Sequence, residues 1–456
     1  MPKKDLPGHM LFTSLAFGVF LPLAFAGYWL VARLGAKWQN LFLLLASFVF
    51  YGWWDKRMLL LMASCVIWTY LWGRLLAKCH SRGLLALAIA GPLTVLFVFK
   101  YFNFFIPCAR LELVVPLGLS FYTFMAIGYL ADVYMGKVAA ESDLLAFGSF
   151  LAFFPQIAAG PIGRAGSLLP QYHSTRKLDF DEASHGLCLI AYGLFKKMAV
   201  ADLLSLYVDF AFRNAPMYST ATCIIGAVFF AVQIYCDFSG YSDMARGVAK
   251  LFGIELMLNF NRPYLAKTFG EFWRRWHISL STWFRDYVYI PLGGSRCTLP
   301  RTICNVWVVF LLSGLWHGAA WTFVAWGALH AVFLTGGILR RKLGLKIPDS
   351  RLPVFAGVTF AWILFKASSW EQLAGYLKML FAFKFRTSMS SLFAGQGPVV
   401  VAFEFAACAL LALSYLLPPD AKPKSTTGRL AFIGACIAAI VFMGIPGGGE
   451  FIYFQF

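Results

Sequence analysis

Residues 306–336 run VWVVFLLSGLWHGAAWTFVAWGALHAVFLTG, an apolar stretch whose only ionisable side chains belong to His317 and His330. An imidazole is costly to bury in such surroundings, and membrane proteins usually keep an ionisable group of this kind for a function. A helix needs about 20 apolar residues to cross a bilayer, and this stretch exceeds that length. It therefore predicts membrane-embedded helix and makes both histidines candidates for a site.

The rest of the chain is similarly apolar. Its 456 residues are 60% hydrophobic and 13% charged, with a mean hydropathy of +0.70, whereas soluble domains are about 45–50% apolar and about 25% charged. Apolar windows recur at 11–32, 38–54, 58–73, 84–99, 114–133, 144–160, 185–200, 219–236, 302–316, 318–336, 352–366, 396–417 and 430–446. Because short windows can be tilted or re-entrant, we expect roughly ten to thirteen membrane helices. The fold class predicted is an all-α polytopic membrane protein, with a single membrane domain over residues 1–456.

The net charge of +18 does not indicate a nucleic-acid partner. Basic side chains gather at the ends of apolar windows, as in Arg74 with Lys78 and in Arg340 with Arg341. Loops of this kind follow the positive-inside rule and attract anionic lipid. We therefore expect the lipid bilayer, and not nucleic acid, to be a partner.

A second segment, residues 259–301, is too charged to span a membrane and unusually aromatic. If residues 271–289 are wound as one helix at about 100° per residue, two faces form. One face carries Phe272, Trp276, Leu280, Trp283 and Tyr287, and the other carries Arg274, His277, Ser281 and Arg285. This amphipathic pattern is typical of an interfacial anchor. It also suits a cationic floor for an anionic substrate, and the pattern leaves both interpretations open.

His317 lies in SGLWHGAAW, where Gly314 and Gly318 would permit close approach of a ligand or a neighbouring helix. A hydrogen bond between helices is the equally good alternative for such a histidine. His330 would lie about 220° around from His317 on a continuous helix, so we do not expect the two to act together. A structural role is the better expectation for His330.

Two carboxylates, Asp237 and Asp243, border the apolar window 219–236. Buried carboxylates need partners, and Tyr235, Ser239, Tyr241 and Arg246 share their segment. We expect a structural network here, with substrate binding as the alternative.

Common catalytic and metal-binding signatures are missing from the sequence. It contains no CxxC, GxSxG, P-loop, GxGxxG or HExxH motif, so neither a metal ion nor a tightly bound cofactor is indicated. What remains is histidine without a protein nucleophile. A single imidazole can act as general base on a hydroxyl that attacks an activated acyl group.

Two long motifs make the chain resemble the membrane-bound O-acyltransferase family. They are NFNRPYLAKTFGEFWRRWHISLSTWFRDYVYIPLGG at 259–294 and GLWHGAAWTFVAWGALH at 314–330. The likeness extends to FLLLASFVFYGWW, FKYFNFF, PLGLSFYTF, FFPQIAAGPIGR and YCDFSGYSDMA. The branch it resembles most acts in O-acetylation of bacterial alginate and cellulose.

The resemblance implies a helical bundle around a central tunnel, with re-entrant or interfacial helices. It implies that His317 is the catalytic residue and that His277 is its partner. The expected donor is cytosolic acetyl-CoA, the acceptor an exported polysaccharide, and the partner an extracytoplasmic SGNH-type acetyltransferase. The expected location is the bacterial inner membrane, which the chain crosses several times.

The remaining candidates would bind substrate or donor. Arg274 and Arg285 would lie near the phosphates of the coenzyme. Trp273, Trp276, Trp316 and Trp321 would narrow the tunnel and exclude water, and Ser281, Asp237 and Asp243 complete the set.

Several alternatives stay open. Within the family they are D-alanyl transfer and peptidoglycan acyl transfer; outside it they are a transporter and a non-catalytic scaffold of a polysaccharide secretion complex. The sequence ends at Gly447-Gly448-Gly449 and FIYFQF, without the extended tail associated with the alginate branch. Cellulose is therefore at least as good an expectation as alginate.

Overall fold

The fold is built from helices. The computed structural model describes residues 10–346, 348–386, 388–415, 423, 425–445, 449 and 451–452, and within these ranges it contains no β-strand. The predicted all-α class is confirmed. The C-terminal residues on which the choice between alginate and cellulose rested lie outside the described ranges, except Gly449, Phe451 and Ile452.

The helices fall into two compact units. The first unit comprises Met1–Ile190 and Tyr241–Leu258, and the second comprises Ala191–Gly240 and Asn259–Phe456. The prediction of a single domain stays a prediction. In chain order the α-helices are α1 Leu15–Val31, α2 Ala36–Trp54, α3 Met58–Lys78, α4 Arg82–Leu96, α5 Phe102–Phe105, α6 Leu119–Tyr134, α7 Leu144–Leu151, α8 Phe154–Ala159, α9 Ala165–His173, α10 Phe180–Leu194, α11 Asp202–Arg213, α12 Thr220–Leu251, α13 Phe269–Arg275, α14 Ile278–Phe284, α15 Leu299–His317, α16 Trp321–Lys342, α17 Arg351–Lys366, α18 Trp370–Leu380, α19 Met389–Leu392, α20 Pro398–Tyr415 and α21 Thr426–Met443.

Shorter helical segments join some of these helices. In the part of the chain that the structure describes, these segments are π-helical at Phe97–Tyr101, Phe195–Ala201 and Arg285–Tyr289, and 3₁₀-helical at Ala32–Leu34, Ala215–Met217 and Pro263–Leu265.

Eight helices in the described ranges are long and apolar enough to cross a membrane. They lie at Leu15–Leu34, Met58–Lys78, Arg82–Phe105, Thr220–Leu251, Leu299–His317, Trp321–Lys342, Pro398–Tyr415 and Thr426–Met443. Other predicted windows lie in helices that are shorter or more polar, such as α2, α6 and α17, so the estimate of ten to thirteen exceeds the eight that meet both criteria. The chain is a multi-pass membrane protein.

Helix α1 shows why these helices suit lipid. Its Phe17 and Tyr28 are buried, while Leu15, Leu23 and Leu30 are more than two-thirds exposed. Such an outward apolar face is unfavourable in water and favourable against acyl chains.

A proline within α4 leaves one backbone carbonyl of that helix without its usual hydrogen bond. Pro92 has no N–H, so it cannot donate to the carbonyl of Ala88 one turn earlier. The indole Nε1 of Trp68 in α3 donates to that carbonyl at 3.0 Å. A proline within the apolar core of a membrane is tolerated when a neighbouring helix makes such a bond.

Helices α15 and α16 pack closely because glycines, which have no side chain, lie where the two helices meet. A Cβ on Gly314 would lie 2.3 Å from the carbonyl oxygen of Phe323, and one on Gly327 would lie 2.2 Å from that of Phe310. The close helix approach predicted beside His317 is confirmed. Residues 318–320 separate the two helices, as the separate apolar windows 302–316 and 318–336 predicted, so the angle between His317 and His330 on a continuous helix does not apply.

We predict that Gly327→Ala destabilises the protein by about 1–3 kcal/mol, the usual cost of overpacking. The matched control is Gly336→Ala on the same helix, where an added Cβ meets nothing within 4 Å. The measurement is the thermal unfolding midpoint of each purified variant in detergent. Equal midpoints for the two variants would contradict the close helix contact.

Candidate active site

A sharp turn places His277 between two short helices. Helix α13 ends at Arg275, Trp276 is extended, and α14 begins at Ile278. His277 itself has a φ of 41°, in the left-handed region that side chains other than glycine rarely adopt. The prediction of one amphipathic helix over residues 271–289 is therefore wrong.

Asn259 holds this turn from outside the two helices. Its carbonyl oxygen accepts from the backbone N–H of Ile278 at 2.9 Å. Its side-chain Oδ1 accepts from the backbone N–H of Ser279 at 3.2 Å and from the Ser279 hydroxyl at 3.0 Å. These bonds offset the strain of the left-handed residue. Asn259 escaped the sequence analysis because nothing in its neighbourhood signals a contact 18 residues further along the chain.

The same Asn259 oxygen assigns the protonation of His277. Nδ1 of His277 lies 3.2 Å from Oδ1 of Asn259, and the bond from the Ser279 N–H requires that this atom be the oxygen. Nδ1 therefore donates, and Nε2 is the basic nitrogen. His277 is fully buried, and burial lowers the pKa of its imidazole below its ordinary value. The ring is neutral at pH 7.

His317 is the last residue of α15 and is 3% exposed. The ring centroids of Trp326 and Phe365 lie 5.0 and 5.3 Å from that of His317, both at steep angles. The neighbouring Trp316 lies 4.8 Å from His317 and 5.9 Å from His277. The Trp316 indole therefore contacts both His277 and His317.

His330 has a bond that supports the structural role expected for it. Nε1 of Trp273 donates to Nδ1 of His330 at 3.3 Å. The ring of His330 also lies 4.9 Å from that of Trp326, which makes Trp326 a neighbour of both histidines on the α15–α16 pair.

The tryptophans do not all lie together. Trp273, Trp276 and Trp316 are each less than 10% exposed, whereas Trp321 is 61% exposed. Trp273 and Trp316 pack on histidine rings, whereas Trp276 packs on other aromatic rings such as that of Trp362. Trp321 is the first residue of α16, and its predicted place in a tunnel stays a prediction.

The polar candidates from residues 271–289 separate once the helix breaks. Arg274 is exposed. Arg285 is also exposed, and its Nε lies 2.7 Å from the carboxylate of Asp286. The Ser281 hydroxyl donates to the carbonyl of Trp276 at 3.2 Å, so it braces the turn at His277. These residues do not share one helix face.

Both carboxylates have ion-pair partners. In the second unit, Oδ1 of Asp237 lies 2.7 Å from Nζ of Lys197, and both residues are buried. In the first unit, Oδ1 of Asp243 lies 3.8 Å from Nη1 of Arg246. The pairing favours the structural network expected for them. From the sequence, Lys197 is most simply the end of an apolar span, and its pairing with Asp237 was missed.

The arrangement suits proton transfer in a dry setting. A buried imidazole enclosed by aromatic rings can accept a proton without competition from water. Among the described residues, no group of three or more histidine, cysteine, aspartate or glutamate side chains could hold a metal ion.

Comparison with known proteins decides the family. The model of the membrane-bound O-acyltransferase family matches residues 136–369, which include His277 and His317. The chain belongs to this family. It is an acyltransferase, and the transferred acyl group comes from an acyl-donor substrate.

Three relatives show which acyltransferases it resembles. The chain is 37% identical over 401 residues to a probable alginate O-acetylase of Pseudomonas putida, covering 82% of this chain and 81% of that protein. It is 33% identical over 413 residues to a peptidoglycan O-acetyltransferase of Helicobacter pylori, covering 80% and 78%. A teichoic acid D-alanyltransferase of Bacillus subtilis is 30% identical over 232 residues, covering 48% and 58%.

We predict that Asn259→Ala lowers the stability of this acyltransferase by about 1–3 kcal/mol, because the buried donors of Ser279 lose their acceptor. Asn261→Ala is the matched control, since Asn261 uses its backbone N–H to bond the Arg275 carbonyl and alanine keeps that group. The thermal unfolding midpoint in detergent is the measurement. A midpoint for Asn259→Ala that matches the control would show that the side chain does not hold the turn.

Proposed function

We propose that this acyltransferase moves acetyl groups from cytosolic acetyl-CoA across the bacterial inner membrane for O-acetylation of an exported polysaccharide of the alginate or cellulose type. The observation that carries the proposal is His317, a buried imidazole at a helix end within the matched family region. The likeness to probable alginate O-acetylases over four-fifths of the chain supports acetyl as the group and polysaccharide as the acceptor.

His317 acts as the general base in the proposed reaction. Its imidazole takes the proton of the acceptor hydroxyl while the hydroxyl oxygen attacks the thioester carbonyl. The carbon–sulfur bond breaks, the coenzyme leaves as a thiolate, and the proton returns to that sulfur. The surrounding rings of Trp316, Trp326 and Phe365 exclude water, which would otherwise hydrolyse the donor.

In the proposed reaction, His277 positions His317, and Arg274 binds the donor. The contact of Trp316 with both imidazoles lets His277 influence His317 through packing. Arg274 is exposed, as a group that binds the coenzyme phosphates from the cytosol must be. An extracytoplasmic SGNH-type acetyltransferase completes transfer to the polymer.

A second candidate changes the acceptor. The likeness to a peptidoglycan O-acetyltransferase covers almost as much of the chain, so peptidoglycan is the alternative polymer for the same donor chemistry. D-alanyl transfer has support over about half of the chain, and it would require a carrier-protein thioester as donor. Family membership favours all of these over a transporter or a scaffold.

We predict that His317→Ala abolishes acetyl transfer, since loss of a general base costs about 10²–10⁴-fold in rate. His277→Asn should cause a severe loss while keeping the turn, because asparagine tolerates the left-handed conformation. His330→Gln is the matched control, a third buried histidine that should retain most activity per folded molecule. The measurement is release of coenzyme from radiolabelled acetyl-CoA by purified protein.

If His317→Ala transferred acetyl near the wild-type rate, His317 would not be the general base. Activity of the wild type with an acyl-carrier thioester, but not with acetyl-CoA, would instead support D-alanyl transfer. Adding the extracytoplasmic proteins encoded beside this one distinguishes a missing partner from a wrong donor.

We predict that Arg274→Ala raises the KM for acetyl-CoA more than Arg285→Ala does. The charge of Arg285 is already paired with Asp286, so less of it is available to a phosphate. Steady-state kinetics with varied acetyl-CoA measure both values, with kcat as the internal control. Equal KM values in the two variants would argue against Arg274 as a donor contact.

A further inference from the structure

Three buried charges gather beside the π-helical segment Phe195–Ala201. Nζ of Lys197 lies 2.7 Å from Oδ1 of Asp202 and 2.7 Å from Oδ1 of Asp237. All three side chains are less than 10% exposed. Charges are costly to bury in a membrane protein, and they persist there when they pair and serve a purpose.

The same charges bind backbone near the C-terminus. Nζ of Lys197 donates to the carbonyl of Gly449 at 2.8 Å. Oδ2 of Asp237 accepts from the backbone N–H of Ile452 at 2.7 Å. The two ends of one ion pair therefore hold two backbone groups that lie three residues apart. We name Gly449, Phe451 and Ile452 the seated residues.

One of the seated residues, Phe451, is linked to His277 by the ring of Phe238, which contacts both. Phe451 is fully buried, and its ring centroid lies 5.7 Å from that of Phe238. Phe238 is also fully buried, and its ring meets that of His277 at 4.6 Å, edge to face. Phe238 directly follows Asp237 in α12, so the charged anchor and the aromatic contact sit side by side.

We propose that Lys197 and Asp237 are positioning residues, which seat Phe451 so that it backs the Phe238 ring and fixes the placement of His277. The inference rests on the proposed function, in which His277 orients the catalytic site. It explains why Asp237 is paired with Lys197 and buried. It also assigns a purpose to the bonds that tie the C-terminal backbone to α12.

The first test reads the placement of His277 without any assay of transfer. Purified full-length protein in detergent is treated with diethyl pyrocarbonate, which modifies accessible imidazoles, and the peptide containing His277 is quantified by mass spectrometry. Phe451→Ala should speed modification of His277 several-fold over wild type, and Phe451→Leu should restore slow modification. The matched control is Phe229→Ala on the same helix, a buried phenylalanine whose ring packs on Tyr207 and Phe405.

The second test measures acetyl transfer by the same variants. Misplacement of a catalytic partner lowers kcat by roughly tenfold to a hundredfold, so Phe451→Ala should lose kcat and keep the KM for acetyl-CoA near the wild-type value. Phe451→Leu should recover kcat. Lys197→Met should behave as Phe451→Ala does, and because it leaves two buried carboxylates without their lysine, the phenylalanine variants decide the test if it does not fold.

Slow modification and normal kcat in Phe451→Ala would overturn the proposal. Equal exposure of His277 in Phe229→Ala would also overturn it, because the effect would then be general loosening. If wild type shows no acetyl transfer even with the extracytoplasmic proteins added, the proposed function fails, and the modification experiment still decides whether Phe451 holds His277 in place.

Discussion

The hydrogen bonds of the Asn259 side chain are the interaction on which the candidate site depends. A non-glycine residue held at positive φ costs about 1–3 kcal/mol, and His277 adopts that conformation with φ 41°. The Asn259 oxygen offsets this cost by accepting from Ser279, and it also sets which nitrogen of His277 carries the proton. A single amide therefore determines both the position and the tautomer of one histidine.

The second histidine depends on a break between helices. Helix α15 ends at His317. Glycines on both α15 and α16 allow the backbones of the two helices to come into contact. The imidazole is thereby placed at a helix end and enclosed by Trp326 and Phe365. Trp316 contacts His277 as well, so the two imidazoles share one indole as a neighbour.

The sequence predicted the composition of the site better than its shape. The apolar windows, the two histidines and the close approach at Gly314 all follow from residue type and order. The helix over residues 271–289 was wrong because periodicity counts residues along one segment, and the bonds from Asn259 lie outside that segment. The pairing of Lys197 with Asp237 was missed for the same reason, since the two residues belong to different helices.

The sequence by itself determined that the chain is an all-α membrane protein, and its motifs pointed to the family. Hydropathy and motif spacing are properties of neighbouring residues, so they survive without knowledge of the fold. Only the tertiary structure decided which groups touch: Trp316 with both imidazoles, and Ile452 with Asp237 across 215 residues of chain. Such contacts form when folding brings distant segments together and the cost of burying each polar group selects its partner.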